Sequence, residues 1–191
     1  MNYLIARSEG SDGACVLGGL REVDDLHEFQ EGVSRAANFP DDANFRMSPS
    51  FPKDIRLEDA IHNMDMLLVA SERVKKFLEA EKVPGQEMLP VTIFNHKGRK
   101  EKAPYFVIHQ VGLQDCIDLK KTKWKKNPLD DSQITDVRKL TLDEKKIDKK
   151  AQLFRLKSYG IPLVIRADLA EKIKKAGFTG FEFIPLIEWT F

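Results

Sequence analysis

Two cysteines, four histidines and thirty carboxylates are the side chains through which this 191-residue chain could do covalent, metal or acid-base chemistry. Cys15 would need a base such as His27 or His62 to become a nucleophile. It lies in GACVLGGL, an apolar, glycine-rich context that suits an inert buried thiol. Cys15 and Cys116 are far apart, with no C-x-x-C pair to form a redox motif or half a zinc site. His27, His62, His96 and His109 lack the i, i+4 spacing of a helical metal site. GSDG and LGGL contain no phosphate-cradling pattern and read as turns. Glu87 and Glu182 invite comparison with an acid-base pair, but each alternates with apolar neighbours as a rim position of a strand does. The expectation is a protein with no catalytic residues, no metal and no cofactor.

Charge is the next signal. The net charge is +1, yet Met1 to Met66 carries six basic and thirteen acidic residues, which leaves −7 there and +8 in the remainder. A general polyanion binder is thereby disfavoured, while an acidic segment suited to steering a basic partner is favoured. The stretch LKKTKWKKNPLDD, residues 119 to 131, contains Pro128 and reads as a solvated loop. Its Lys120, Lys121, Lys123, Lys125 and Lys126 around Trp124 supply an alternative, a nucleic-acid-binding module, because lysines contact phosphates and an aromatic stacks on a base. Trp124 equally suits a protein interface.

The elements that must position such residues are announced by an internal repeat. LVASERVKKFLEAEKVPGQEMLPV, residues 68 to 91, lies without a gap over LVIRADLAEKIKKAGFTGFEFIPL, residues 163 to 186. Val74 meets Leu169, Leu78 meets Ile173, Gly85 meets Gly180, Glu87 meets Glu182 and Pro90 meets Pro185. Each copy reads as strand, amphipathic helix and a strand ending at proline. Val74, Phe77 and Leu78 form one apolar stripe and Leu169, Ile173 and Ala176 the other; burying each large side chain contributes roughly 1.5 to 3 kcal/mol. Ser71 is placed to cap the first helix and Asp168, with Glu171, the second, which Gly177 terminates.

Tyr105 to Val111 reads as a half-buried strand, with further strands at 115 to 118, 134 to 142 and 152 to 156, and a connector at 96 to 104. Val23 to Ala37 has helical spacing at Leu26, Phe29 and Val33, and residues 40 to 54, with three prolines, read as an extended clamp. The fold class is therefore α+β, with mixed or antiparallel sheets around the duplicated unit. An acidic segment 1–66 packs on a duplicated domain 67–191, unless 1–191 is one continuous domain. The first residues read as a β-strand instead of a signal peptide, and no stretch approaches the roughly 18 apolar residues of a membrane span. No membrane association and a reduced, cytoplasmic setting are expected.

The x-E-x-[LI]-P strand endings, together with YFVIHQV, CIDL, ITDVRKLTLDEKKI and LFRL between the copies, resemble a family of bacterial immunity proteins of polymorphic toxin systems, a myxobacterial-type domain long of unknown function. The resemblance runs from FRMSP, near residue 45, to residue 186, and its matched positions include Ser71, Glu87, Pro90, Asp118, Leu142, Phe154, Arg155, Glu182 and Pro185. Arg166 departs from the family's serine. The resemblance implies a non-enzymatic antidote that binds a cognate toxin encoded by an adjacent gene. Asp24, Asp25, Glu28, Glu31, Asp41 and Asp42 are the expected contacts for a basic toxin, with Trp124 as a second candidate.

Overall fold

The computed structural model describes residues 2–190 and is α+β, with three α-helices and twelve strands among them. In chain order these are β1 (Tyr3–Ser8), α1 (Glu28–Glu31), β2 (Asn44–Arg46), β3 (Ala60–Ile61), β4 (Val69–Ser71), α2 (Glu72–Ala80), β5 (Gln86–Phe94) and β6 (Tyr105–Gln110). Then follow β7 (Leu113–Gln114), β8 (Lys123–Lys126), β9 (Ile134–Lys139), β10 (Leu153–Leu156), β11 (Tyr159–Arg166), α3 (Ala167–Lys175) and β12 (Phe181–Pro185). One five-stranded sheet runs β2-β5-β6-β4-β3, another runs β12-β1-β11-β10-β7, and β8-β9 form a separate ribbon.

The two copies of the repeat occupy one sheet each and build the same motif. β4 and β5 do not touch but flank β6, antiparallel to both; β11 and β12 flank β1 in the same way. Each unit is thus a split strand-helix-strand whose missing middle strand comes from outside the repeat. β6 follows the first copy, and β1 precedes the second by most of the chain. The turn chemistry also repeats: Gly85 and Gly180 open the return strands at φ +74° and +78°, and Lys82 and Gly177 end the helices at +53° and +69°.

Local differences from the sequence pattern have physical causes. Ser71 caps α2, its Oγ accepting from the Val74 N–H at 3.5 Å. Asp168 does not cap α3: the helix starts at Ala167, so the carboxylate falls inside the first turn and grips the Arg166 guanidinium at 2.6 and 2.8 Å. Ala176 is exposed, and Ala170 completes the stripe with Leu169 and Ile173. The helix expected over 23–37 shrinks to Glu28–Glu31, because Asp25 at φ +53° and Gly32 at +65° both leave the helical region. The expected strand at 115–118 is β7 at 113–114 instead. The expected loop 119–131 contains β8, and the clamp at 40–54 contains β2. β6 is buried along nearly its whole length and not half-buried.

Three apolar clusters organise the packing. The central one holds Val74 and Leu78 of α2, Leu169 and Ile173 of α3, and Ile108, Leu163 and Ile165 from both sheets. Phe77 meets Phe178 edge-on across it, ring centroids 5.2 Å apart. On the far face of the first-unit sheet the acidic segment lays Cys15, Leu17, Phe29 and Phe45 against Val69, Leu89 and Val107. On the far face of the second-unit sheet, Val137, Leu140 and Ile147 cover Ile5, Phe154 and Val164. The units are joined at Asp59, buried, whose carboxylate accepts from the Ser71 hydroxyl at 2.7 Å, the Arg73 guanidinium and the Thr179 N–H at 3.2 Å. Beside it Gly180 runs so close to the Ala60 carbonyl that a Cβ there would collide with backbone.

Candidate partner-binding surface

The acidic segment is held on the first unit by side chains of β5 and β6. Glu87 on β5 accepts from the Ser34 hydroxyl at 2.5 Å and from the N–H groups of Arg35 and Ala36 at 2.8 and 3.1 Å. His109, its register partner on β6, donates from Nε2 to the Val33 carbonyl at 2.7 Å and meets the Phe29 ring edge-on at 5.0 Å. Burial holds the imidazole below its usual pKa, offset in part by the Val33 bond and by Glu87; Arg155 and Arg35 lower it further. Gly32 packs on Gly112, donor and acceptor 2.8 Å apart, and Gly160 runs tight under the Gln30 carbonyl, so α1 touches both units.

Outside this anchorage the carboxylates diverge in role. Glu28 pairs with Arg35, whose guanidinium also donates to the Asp24 carbonyl at 2.8 Å and lies 5.7 Å over the Phe29 ring. Asp24, Asp25, Glu31, Asp41 and Asp42 are exposed, and none of them forms an ion pair among the described residues. Glu22, Asp24, Asp25 and Glu28 line one concavity of about 380 Å³ with Arg35 and Asn38. Glu31 lines another with His27, Asp130 and Gln133, and Asp41 a third beside Pro90. The fold therefore gathers Asp24, Asp25 and Glu28 and leaves Glu31, Asp41 and Asp42 on neighbouring surface. Glu22, which joins the group at φ +63°, had no spacing signal of its own. Glu87 did: it stands at the acidic position of the repeated x-E-x-[LI]-P motif, which closes β12 at Pro185 but not β5, which continues past Pro90 to Phe94.

Trp124 projects from the β8-β9 ribbon, 37% exposed, its indole N–H donating to the Leu119 carbonyl at 3.1 Å. Three lysines of the basic stretch are answered by carboxylates: Lys121, just before the ribbon, by Asp118, and Lys125 and Lys126 of β8 by Asp136 and Asp131. The basic stretch is consequently a mixed-charge surface with Lys120 and Lys123 exposed.

The groups capable of reaction are placed for packing. Cys15 is 1% exposed and burial pushes its thiol up to about 12, so it stays protonated at neutral pH. His62 faces the Ser8 carbonyl at 3.1 Å and His96 the Asp54 carbonyl at 3.4 Å. Glu87 and Glu182 stand in different sheets, the latter 2.5 Å from Arg7. Arg155, fully buried, donates to the carbonyls of Gly160 and Ile161 at 2.7 and 2.8 Å; burial lowers its pKa to about 10, which leaves it charged. Among the described residues no three His, Cys, Asp or Glu side chains gather into a metal site, and no helix is long and apolar enough to cross a membrane.

No curated protein matches the chain significantly. A family model does, over residues 9–187, and its description is Immunity protein family (Imm11). That span takes in both copies of the repeat, the ribbon and the acidic segment from residue 9 onward, begins just after β1, and extends the sequence resemblance toward the amino end. Proteins of this family have an immunity role, generally without catalysis, which implies a toxin as partner. Covered almost from end to end by that model, the chain belongs to the Imm11 immunity protein family.

Proposed function

We propose that this protein binds a cognate bacterial toxin and neutralises it by occlusion, with the acidic segment as the contact surface. The observation that carries this reading is the contrast within that segment. Phe29 and Val33 to Ala36 are fastened to β5 and β6, while Asp24 and Asp25 stand beside them exposed and without counter-ions among the described residues. Unpaired carboxylates on a fixed scaffold cost no ordering when a basic surface arrives, and their field speeds its approach. Glu28, Glu31, Asp41 and Asp42 extend the negative surface, and Trp124 forms a separate apolar contact.

The proposed partner is a polymorphic toxin used in interbacterial competition and encoded by the adjacent gene, met in the cytoplasm before it can act on its producer. The chain works in this reading as one continuous unit, since β1 of the acidic third completes the second split motif. Co-expression tests it. Cells producing the neighbouring gene product alone should die and cells producing both proteins should survive; a harmless product, or one that kills in both cases, contradicts the proposal.

A further inference from the structure

The two split units are equivalent in register, and the equivalence isolates one difference. In the first unit Glu87 faces His109; in the second, Glu182 faces Arg7. Leu67, which precedes β4, corresponds by the repeat to Pro162 on β11. In the first unit the place beside His109 is filled by Phe29, fully buried, and the chain after Phe29 gives its N–H groups to Glu87. In the second unit β1 and β11 part beyond the Ala6–Leu163 pair. Between them, beside Arg7 and Pro162, lies an apolar cavity of about 150 Å³. Ile5, Ile161, Leu163 and Trp189 line one side, and Leu67, Leu68 and His62 of the chain before α2 line the other with Met66, which is 43% exposed.

We propose that this cavity receives one aromatic or large branched side chain of the toxin, on a segment that docks as residues 29–36 of this chain dock on the first unit. The rim fits such a segment. Glu9 and Glu182 both lie against Arg7, at 3.3 and 2.5 Å, leaving one excess negative charge on exposed side chains. Glu182 thus answers backbone N–H donors or a following basic residue, as Glu87 and Glu28 answer Arg35. A methionine in the lining adapts to the entering side chain. The cavity's shape follows from the fold alone; its assignment to the toxin rests on the immunity reading above.

The probe is a synthetic peptide of residues 26–37, LHEFQEGVSRAA, titrated into the full chain carrying Trp124→Phe, so that Trp189 in the cavity wall is the sole tryptophan and is excited selectively over the three tyrosines. The expected result is a saturable change in Trp189 emission that a peptide with alanine for Phe29 reproduces at least about tenfold more weakly, since one large apolar side chain carries more than 1.4 kcal/mol. Ile161→Phe, which fills the cavity, should abolish the response while melting with the parent, and Glu182→Gln should weaken it several-fold. No emission change, equal binding of the alanine peptide, equally tight uptake of free N-acetylphenylalaninamide, or tighter peptide binding by a chain ending at Thr190 would each overturn the proposal. None of these arms uses a toxin, so their failure is distinct from failure of the co-expression test. With toxin in hand, Ile161→Phe should weaken the complex at least about tenfold, and unchanged affinity removes the toxin as occupant.

Discussion

Glu87 and His109 stand opposite one another on β5 and β6, and between them they bond every residue from Val33 to Ala36 of the acidic segment. One cross-strand pair therefore converts an irregular stretch of chain into a fixed surface.

Removing the carboxylate should loosen that surface without dissolving the sheets. Glu87→Ala leaves two backbone N–H groups to water and is expected to cost about 1 to 2 kcal/mol, partly exposed as the site is. Hydrogen exchange should rise at Arg35 and Ala36 and stay unchanged in β6. Uniform loss of protection would mean that the pair supports the whole fold instead.

The imidazole gives the protein a pH signature. His109 titrates below 6.5 in the folded state, so the unfolded chain binds more protons as pH falls through that value. The stability it contributes is complete above about 6.5 and is lost as pH falls below it toward the folded pKa. Melting temperatures from pH 4 to 8 should decline on the acid side of 6.5, and His109→Leu should flatten that part of the curve while lowering its plateau.

Two glycines of different kinds separate close approach from backbone conformation. Gly160 has no room for a Cβ under the Gln30 carbonyl, whereas Gly98, at φ +70°, has nothing within 4 Å. Gly160→Ala is expected to cost about 3 kcal/mol or more by forcing α1 off the start of β11, and Gly98→Ala only about 1 kcal/mol. Urea midpoints at equal slope would check both.

The exposed carboxylates should act on encounter more than on residence. Reversing Asp24 and Asp25 to lysine is expected to slow association with a basic toxin about 10- to 100-fold and to reduce its salt dependence, with little change in thermal stability. Stopped-flow association at two ionic strengths distinguishes this from a change confined to dissociation.

The repeated unit was legible because its signals are local: apolar spacing in α2 and α3 and the turn glycines 85 and 180; Pro185 ends β12 as expected, but β5 pairs on through Pro90 to Phe94. Tyr3–Ser8 and Tyr105–Gln110 were legible as strands too, but their place between the halves of each unit was not, since β1 pairs with residues more than 150 positions away and no pattern within Tyr3–Ser8 records its neighbours. The helical spacing of Leu26, Phe29 and Val33 misled for a related reason. Leu26 and Phe29 do pack inward, but tertiary bonds to Glu87 and His109, instead of helical ones, hold the residues that follow. The lysines of 119–131 read as a loop because a run of like charges before Pro128 carries no strand signal, yet a local hairpin pairs Lys123–Lys126 with β9 and sets Lys125 against Asp136. The acidic residues were visible as charge, but their division into anchored Glu28 and unpaired Asp24 and Asp25 depended on where Arg35 folds.

The central claim is that this immunity protein disarms its toxin by binding it through the acidic segment. The most direct measurement is calorimetric titration of the purified product of the neighbouring gene with the full chain and with the Asp24→Lys, Asp25→Lys variant. A 1:1 complex that the variant weakens at least about tenfold, with loss of protection in co-expressing cells, is the predicted result. Equal affinity and equal protection by the variant would contradict it.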